Sequence, residues 1–259
     1  MKGKVSSILC DQQGRTWISM FDGGVELVTT NHDGNITVRS FFKGSHSITQ
    51  PRSMLQDHQG RIWLSSSKGV YLFSPDRLLQ DPSAYSHIHV CGNDMNSDEV
   101  HCLYEDSNHH IWAGTTGYGL VQMNGQGEVV KRYTTKDGLP NDRVESVVED
   151  KDGYLWVGTD YGLGRLDKQR KRIHSFFLSN SELGMMYTEG CALRLDDGRL
   201  AMGTLHGMQV FTPQSVKPAA NIFPLAITSL YVNGTPLQDI SDEYPSLSPL
   251  TAQTLKFSH

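Results

Sequence analysis

The amino-acid sequence predicts an all-β protein built mainly from β-propeller blades. One phrase, best preserved as "VEDKDGYLWVGTDYGLGRL" at residues 148–166, recurs four more times along the chain. Short apolar runs alternate with glycine-bearing turns, and no stretch keeps the 3.6-residue period of a helix. A period in the forties with four short strands per unit is typical of propeller blades. All tryptophans occupy one position of the phrase, at Trp17, Trp63, Trp112 and Trp156.

The fourth repeat shows how one unit is built. Asp-Gly and Asn-Gly pairs between its apolar runs favour tight hairpins, because glycine adopts positive φ readily. Each unit is therefore predicted to be a sheet of four antiparallel strands. The apolar runs of this repeat lie at 144–149, 154–159, 163–167 and 172–177.

The five repeats give the predicted blades, with the fifth repeat weaker than the others. It has three apolar runs and no tryptophan, and Leu200 is expected in the aromatic position. Residues 1–4 are too few to supply its missing outer strand. We therefore expect these blades to form part of a larger, seven-bladed ring that includes earlier blades. The repeats lie near 5–41, 52–90, 100–133, 144–177 and 190–211, within a propeller region at 1–212.

Two sets of repeated residues are expected to be structural. The tryptophans are predicted to pack between blades, where a large buried ring contributes on the order of 3–5 kcal/mol relative to alanine. A small residue recurs in the first strand of each unit, as expected for strands crowded around a propeller axis. Two cysteines in this set are therefore predicted to be core residues. The small residues are Ser7, Ser53, Cys102, Ser146 and Cys191.

Composition excludes several classes of protein. The 23 Lys and Arg residues are outnumbered by 28 Asp and Glu residues, which argues against a general nucleic-acid or anionic-membrane binder. The longest apolar stretch, near 223–232, is much shorter than the roughly 20 residues of a membrane span. The four cysteines match no zinc pattern and predict no disulfide framework. We expect no cofactor.

Motif chemistry gives no catalytic or metal site. Asp150 and Asp152 invite a calcium interpretation, but Gln13 and Gln59 take the place of Asp152 in the first two repeats, and a hairpin turn is favoured. The stretch "GTTGYG" at 114–119 lies between two strands, so it predicts a hairpin rather than a phosphate loop. Histidine 109 replaces the turn glycine of the third repeat. No G-x-S-x-G or H-E-x-x-H motif occurs.

A binding face follows from the predicted topology. Loops joining second and third strands share one face with the links between blades. Aromatic rings and hydrogen-bonding side chains at its concave mouth suit a sugar, whereas an acidic glycan would favour the cationic members. The alternative is that these are exposed loop residues without a site. The candidates are Arg52, Lys68, Tyr118, Arg143, Tyr161, Tyr187 and His206, and the same face carries Phe21, Asp22, Asp98, Asn141 and Glu189.

Composition changes after the repeats. Residues 213–221 contain two prolines and form a predicted linker. Residues 222–259 predict strands around an Asn-Gly turn at Asn233-Gly234. So short a segment cannot bury a core of its own, and we interpret it as the incomplete beginning of a second β-domain.

The repeated phrase resembles the two-component regulator propeller repeat, and "RYTTKDGLPNDRVESV" resembles the blade-to-blade link of that family. The segment "IFPLAITSLYVNGTPL" is similar to the opening of the triple-tyrosine domain, which implies that 222–259 begins an Ig-like β-sandwich. Repeats two, three and five depart from the pattern. These departures put individual blades in doubt rather than the resemblance.

The resemblance implies the non-catalytic periplasmic sensor region of a bacterial two-component histidine kinase. It implies a small-molecule or oligosaccharide ligand, a homodimer in the full-length receptor, and a kinase module outside this chain. Contact with the membrane would come only through downstream segments that this chain lacks. Two other classes stay open, namely a propeller enzyme acting as glycan lyase or hydrolase, and a protein-interaction scaffold.

Overall fold

A computed structural model describes residues 3–31, 33–91, 98–176 and 186–216, together with the backbone of 231–232 and 235–236. The chain divides into two compact units, 1–219 and 220–259. In the second unit, β20 (Tyr231–Val232) pairs with β21 (Thr235–Pro236). The remainder of the predicted sandwich segment lies outside the described residues. No helix among the described residues is long and apolar enough to cross a bilayer.

Five antiparallel sheets follow one another in the first unit. The first sheet contains β1 (Val5–Cys10), β2 (Thr16–Met20), β3 (Val25–Thr30) and β4 (Ile36–Phe41). The second contains β5 (Met54–Gln56), β6 (Ile62–Ser66), β7 (Gly69–Phe73) and β8 (Tyr85–Ile88), with helix α1 (Pro75–Gln80) before β8. The third contains β9 (Val100–Glu105), β10 (Ile111–Thr115), β11 (Leu120–Met123) and β12 (Val129–Tyr133).

The fourth sheet contains β13 (Val144–Glu149), β14 (Leu155–Thr159), β15 (Gly162–Leu166) and β16 (Ile173–Phe176). The fifth contains β17 (Tyr187–Arg194), β18 (Leu200–Thr204) and β19 (Gly207–Phe211). The all-β, five-blade prediction is confirmed. First strands are innermost, since β13 packs against both β9 and β17. The seven-bladed ring stays a prediction.

An aspartate and a tryptophan form a repeated clasp in blades one to four. The aspartate follows the first strand, and its Oδ1 accepts the backbone N–H groups two and four residues ahead. Its Oδ2 accepts the indole Nε1–H at 2.8–2.9 Å. One carboxylate therefore closes the turn and orients the ring. The pairs are Asp11–Trp17, Asp57–Trp63, Asp106–Trp112 and Asp150–Trp156, and all eight side chains are buried.

Each clasped ring packs towards the following blade. Trp17 lies 5.7 Å from Phe73 of blade two, and Trp156 lies 5.3 Å from Phe211 of blade five, measured between ring centroids. The apolar core is consequently divided among the interfaces between blades.

Blade five corrects two expectations. Ala201, not Leu200, takes the tryptophan position, because it pairs with Val210 as Trp156 pairs with Arg165. The alignment on Leu200 was wrong by one residue. Leu195 takes the aspartate position. Its backbone N–H donates to the Arg199 carbonyl, just as the N–H of Asp150 donates to the Tyr154 carbonyl. Aspartate and tryptophan are thus replaced together, as expected for two halves of one clasp.

The second correction concerns Cys191, which is exposed rather than in the core. Side chains on the same side of blade five are also open to solvent, with Leu193 at 61% and Met208 at 69% exposure. No described blade covers that side of the sheet. Cys102, by contrast, is buried between blades three and four.

The Gly-Thr pair of the phrase has two separate roles. A Cβ on Gly158 would lie 2.6 Å from Ser146 Oγ and 2.7 Å from the Tyr187 ring, so glycine lets β14 approach the next inner strand. The hydroxyl of Thr159 donates to the Gly162 carbonyl at 2.8 Å and closes the following hairpin.

Gly158→Ala is expected to lower the free energy of unfolding by about 1–3 kcal/mol, because the added methyl overpacks this contact. Gly164→Ala in the same blade is the control, since its Cβ would meet no atom closer than 3.3 Å. Urea unfolding of both variants measures the difference. Equal losses of stability would contradict the assignment of Gly158 to close strand approach.

Candidate functional site

A cavity of about 430 Å³ lies where the first strands of the blades begin. The residues that open or precede those strands converge there, because each first strand faces the ring axis. Four blades contribute, namely one, two, three and five. The lining residues are Ser6, Ser7, Phe21, Arg52, Ser53, His101, Glu189, Gly190 and Cys191.

Arg52 is the central cation of the cavity. Its guanidinium contacts the carboxylate of Glu99 and donates to Glu189 Oε2 at 2.7 Å, which joins blade two to blades three and five. It also lies 5.9 Å from the centre of the Phe21 ring. Burial raises the pKa of Glu189, and the nearby Arg52 offsets this rise only in part.

A hydrogen-bonded row continues the site into blades three and four. His101 is 1% exposed, and its Nδ1 lies 2.9 Å from Glu145 Oε2 while its Nε2 lies 2.5 Å from Thr116 Oγ1. Because the carboxylate can only accept, Nδ1–H donates to Glu145. In the neutral imidazole, Nε2 then accepts from the threonine hydroxyl. Glu145 also accepts from Arg143 Nε at 2.7 Å.

Perturbed carboxyl groups mark this row. Burial acts to raise the pKa of Glu145, but hydrogen bonds from His101 and Arg143 outweigh it and hold the pKa below its usual value. Burial raises the pKa of Asp160, although its carboxylate lies 3.2 Å from Arg143 Nε. Clusters of buried titratable groups with opposed shifts are frequent at functional sites.

Carboxylates outnumber guanidinium groups at the mouth. Arg52 and Arg143 each contact two acidic side chains, so neither presents an unopposed positive charge. Such a surface accepts hydrogen bonds from hydroxyl groups more readily than it binds an anion. The acidic members are Glu99, Glu145, Asp160 and Glu189.

The structure brings two of the seven sequence-predicted residues into this network, Arg52 and Arg143. Lys68, Tyr161 and His206 lie exposed on hairpins of blades two, four and five, away from the cavity lining. Tyr118 is half-buried, and the Arg132 guanidinium carbon lies over its ring, 4.0 Å from the ring centre.

Tyr187 is placed differently from the expectation. Its ring is 3% exposed and packs in the core between blades four and five, where burial raises the pKa of its phenol. Its hydroxyl donates to Gln209 Oε1 at 2.8 Å. The ring is therefore not presented to the cavity.

Sequence reasoning missed His101, Glu145, Glu99 and Asp160. A positional signal existed for the first two, since the residue just before each small first-strand residue faces the mouth. That position varies in chemistry from blade to blade, while the residue after it is always small. It holds Ser6, Arg52, His101, Glu145 and Gly190.

Comparison with known proteins supports the repeat assignment. The family described as "Two component regulator propeller" matches residues 94–117 and 138–161, which include parts of blades three and four. Two of the repeats of this chain therefore match the two-component regulator propeller repeat. A curated relative, Histidine kinase P4 of Formosa agariphila, is 21% identical over 202 residues. That match covers 77% of this chain and 15% of the kinase.

Solved structures of low identity share the fold. The extracellular domain of BT4673 from B. thetaiotaomicron, assigned to a hybrid two-component system, has a TM-score of 0.67 at 14% identity. The match covers 88% of this chain and 33% of that domain. Virginiamycin B lyase of Staphylococcus aureus has a TM-score of 0.60 at 11% identity, covering 83% and 71% of the two chains. Both sensors and enzymes therefore use this architecture.

Proposed function

We propose that this chain is part of the periplasmic ligand-sensing region of a bacterial two-component sensor histidine kinase, and that it binds a neutral saccharide at the mouth of the propeller. The observation that carries the proposal is the cavity of about 430 Å³, which is lined by residues from four blades and combines an aromatic ring with polar and charged side chains. Pockets of roughly 300–1,000 Å³ hold small-molecule ligands. In the proposed receptor, two copies of the full-length protein associate, and the kinase lies beyond this chain.

The chemistry of the lining favours a sugar. Phe21 offers an apolar ring face, three serine hydroxyls lie beside it, and Glu189 can accept hydrogen bonds from sugar hydroxyls. A uronic acid would meet the excess of carboxylates described above. A ligand that contacts both Arg52 and Glu189 would strengthen the contact between blades two and five. Binding could then change how these two blades are held relative to each other.

Thermal unfolding with a panel of neutral, acidic and amino saccharides tests this function. At 100 times its dissociation constant, a ligand stabilises the folded chain by roughly 2.7 kcal/mol. We expect a neutral saccharide to raise Tm, and Arg52→Gln to weaken its binding by about 10–100-fold, as for loss of a hydrogen bond to a charged group. Lys68→Gln, which removes a cation outside the cavity lining, is the control and should bind normally.

Two outcomes would contradict the proposal. A panel without any shift would favour a protein-interaction scaffold. A saccharide that binds Arg52→Gln and the unchanged chain equally well would place the site away from the cavity.

One arrangement favours an enzyme as the second candidate. Thr116, His101 and Glu145 form a hydroxyl–imidazole–carboxylate row like those that activate hydroxyl nucleophiles. Turnover assays on the same saccharides, with His101→Gln as the paired variant, separate the candidates. The sensor proposal predicts no product from either protein, whereas product lost on His101→Gln would support the enzyme.

A further inference from the structure

A cluster of side chains that could bind a metal ion lies on the face opposite the mouth. His58 follows β5 in the first hairpin of blade two, while Glu105 ends β9 and His109 lies in the first hairpin of blade three. One ligand atom from each of these residues lies within 4.8 Å of the other two. The two imidazole rings stack with centroids 3.8 Å apart.

Glu105 is the shared partner of both histidines. Its Oε1 contacts His58 Nδ1 and lies 3.3 Å from His109 Nδ1. Its Oε2 accepts the backbone N–H of His58 at 2.9 Å, which fixes the orientation of the carboxylate. The Glu105 side chain is 13% exposed, whereas those of His58 and His109 are 35% and 57% exposed, so an ion could reach the site from solvent.

The backbone hydrogen bond to Glu105 is part of the structural framework that joins neighbouring blades. The same backbone bond recurs from Gln12 N–H to Gln56 Oε1 and from Ser107 N–H to Glu149 Oε2, both at 2.8 Å. These junctions of blades one with two and three with four therefore use a carboxylate or amide without imidazoles. The pair of histidines sets the junction between blades two and three apart, and scaffold alone does not explain it.

The backbone conformation of His109 also indicates a functional role. It has φ of +63°, at the turn position that glycine holds in the other four blades. A non-glycine residue in the left-handed region carries backbone strain, and such strain clusters at functional sites. The equivalent glycines are Gly14, Gly60, Gly153 and Gly198.

We propose that His58, Glu105 and His109 bind a zinc ion. Two imidazole nitrogens and one carboxylate oxygen are a zinc ligand set, and three protein ligands leave a position for water. Imidazole disfavours calcium and magnesium, which prefer oxygen ligands. The backbone bond to Glu105 Oε2 would hold the ligand in place, as outer partners do at metal sites. The ion would join blades two and three.

Zinc titration of the whole chain by calorimetry, followed by thermal unfolding, tests the site. A non-metal-binding reductant keeps the four cysteines from forming disulfides. We expect one zinc ion per chain, a rise in Tm that EDTA reverses, and no rise with magnesium or calcium. The zinc response should weaken as pH falls, because protons compete with zinc for ligand nitrogens.

His109→Gly is the informative variant, because it removes a ligand and restores the glycine of the other blades. We expect its metal-free form to be at least as stable as the unchanged chain, with zinc bound more than about 100-fold more weakly. His58→Gln should lose zinc similarly. His174→Gln, an exposed histidine outside the cluster, is the control and should keep full affinity.

The proposal is overturned if the unchanged chain takes up no zinc, or if His109→Gly and His58→Gln both retain its affinity. The second result would assign binding to another group, such as the exposed Cys10. Neither result bears on saccharide binding at the opposite face.

Discussion

Replacement of Trp156 by alanine is expected to lower the free energy of unfolding by about 3–5 kcal/mol, the range for deletion of a large buried ring. The indole is fully buried and contacts Phe176 and Phe211 at centroid distances of 5.6 and 5.3 Å. Its removal also deprives the buried Asp150 of the N–H donor to Oδ2. Urea unfolding monitored by circular dichroism gives the change.

Two companion variants separate the ring from its hydrogen bond. Trp156→Phe keeps most of the apolar volume and should cost about 1–3 kcal/mol, the range for an unsatisfied buried acceptor. The double variant Asp150→Leu with Trp156→Ala reproduces the pair found at Leu195 and Ala201. It should cost less than the sum of its single variants, since no carboxylate is left without its donor. Strict additivity would contradict the clasp.

The second large effect is expected at Arg170. Its side chain is 9% exposed and its Nη2 lies 3.1 Å from Asp106 Oδ2 and 2.7 Å from Glu149 Oε1, while Nη1 donates to the Gly153 carbonyl at 3.0 Å. Arg170→Met leaves two buried carboxylates without their cation. We expect a loss of about 3–5 kcal/mol at neutral pH, as for breaking a buried ion pair.

The pH dependence of this loss gives an independent check. Despite burial, the hydrogen bond from Trp112 and the charge of Arg170 hold the pKa of Asp106 below its usual value. A lowered pKa contributes stability that is present above the unfolded value of about 3.9 and is lost as pH falls through the folded pKa. The deficit of Arg170→Met should therefore be largest at pH 7 and shrink near pH 3.5. A deficit constant with pH would contradict the charge argument.

The architecture was accessible from sequence because it is local and repeated. The phrase around Trp156 encodes its own turn, strand and hairpin, and each blade restates it. The failures at Leu200 and Cys191 lie in blade five, where aspartate and tryptophan are replaced and an exposed sheet side removes the usual packing. The turn glycine Gly198 and the pair Gly203-Thr204 keep their usual spacing in blade five, so they mark the register where the tryptophan is missing.

The candidate site was less accessible because no single repeat contains it. Topology placed Arg52, Arg143, Phe21 and Glu189 on one face, but could not show which of them reach the axis. The pairing of His101 with Glu145 depends on the packing of β9 against β13. Likewise, the sequence showed that His109 replaces a turn glycine, whereas only the fold places its ring on His58, in another blade.

A crystal structure of the chain with the saccharide that raises Tm most would locate the binding site directly. We expect electron density for a sugar in the cavity, with its ring against Phe21 and its hydroxyls bonded to Arg52 and Glu189. A sugar seated instead on the rim hairpins near Tyr118 or Tyr161, with the cavity side chains unengaged, would contradict it.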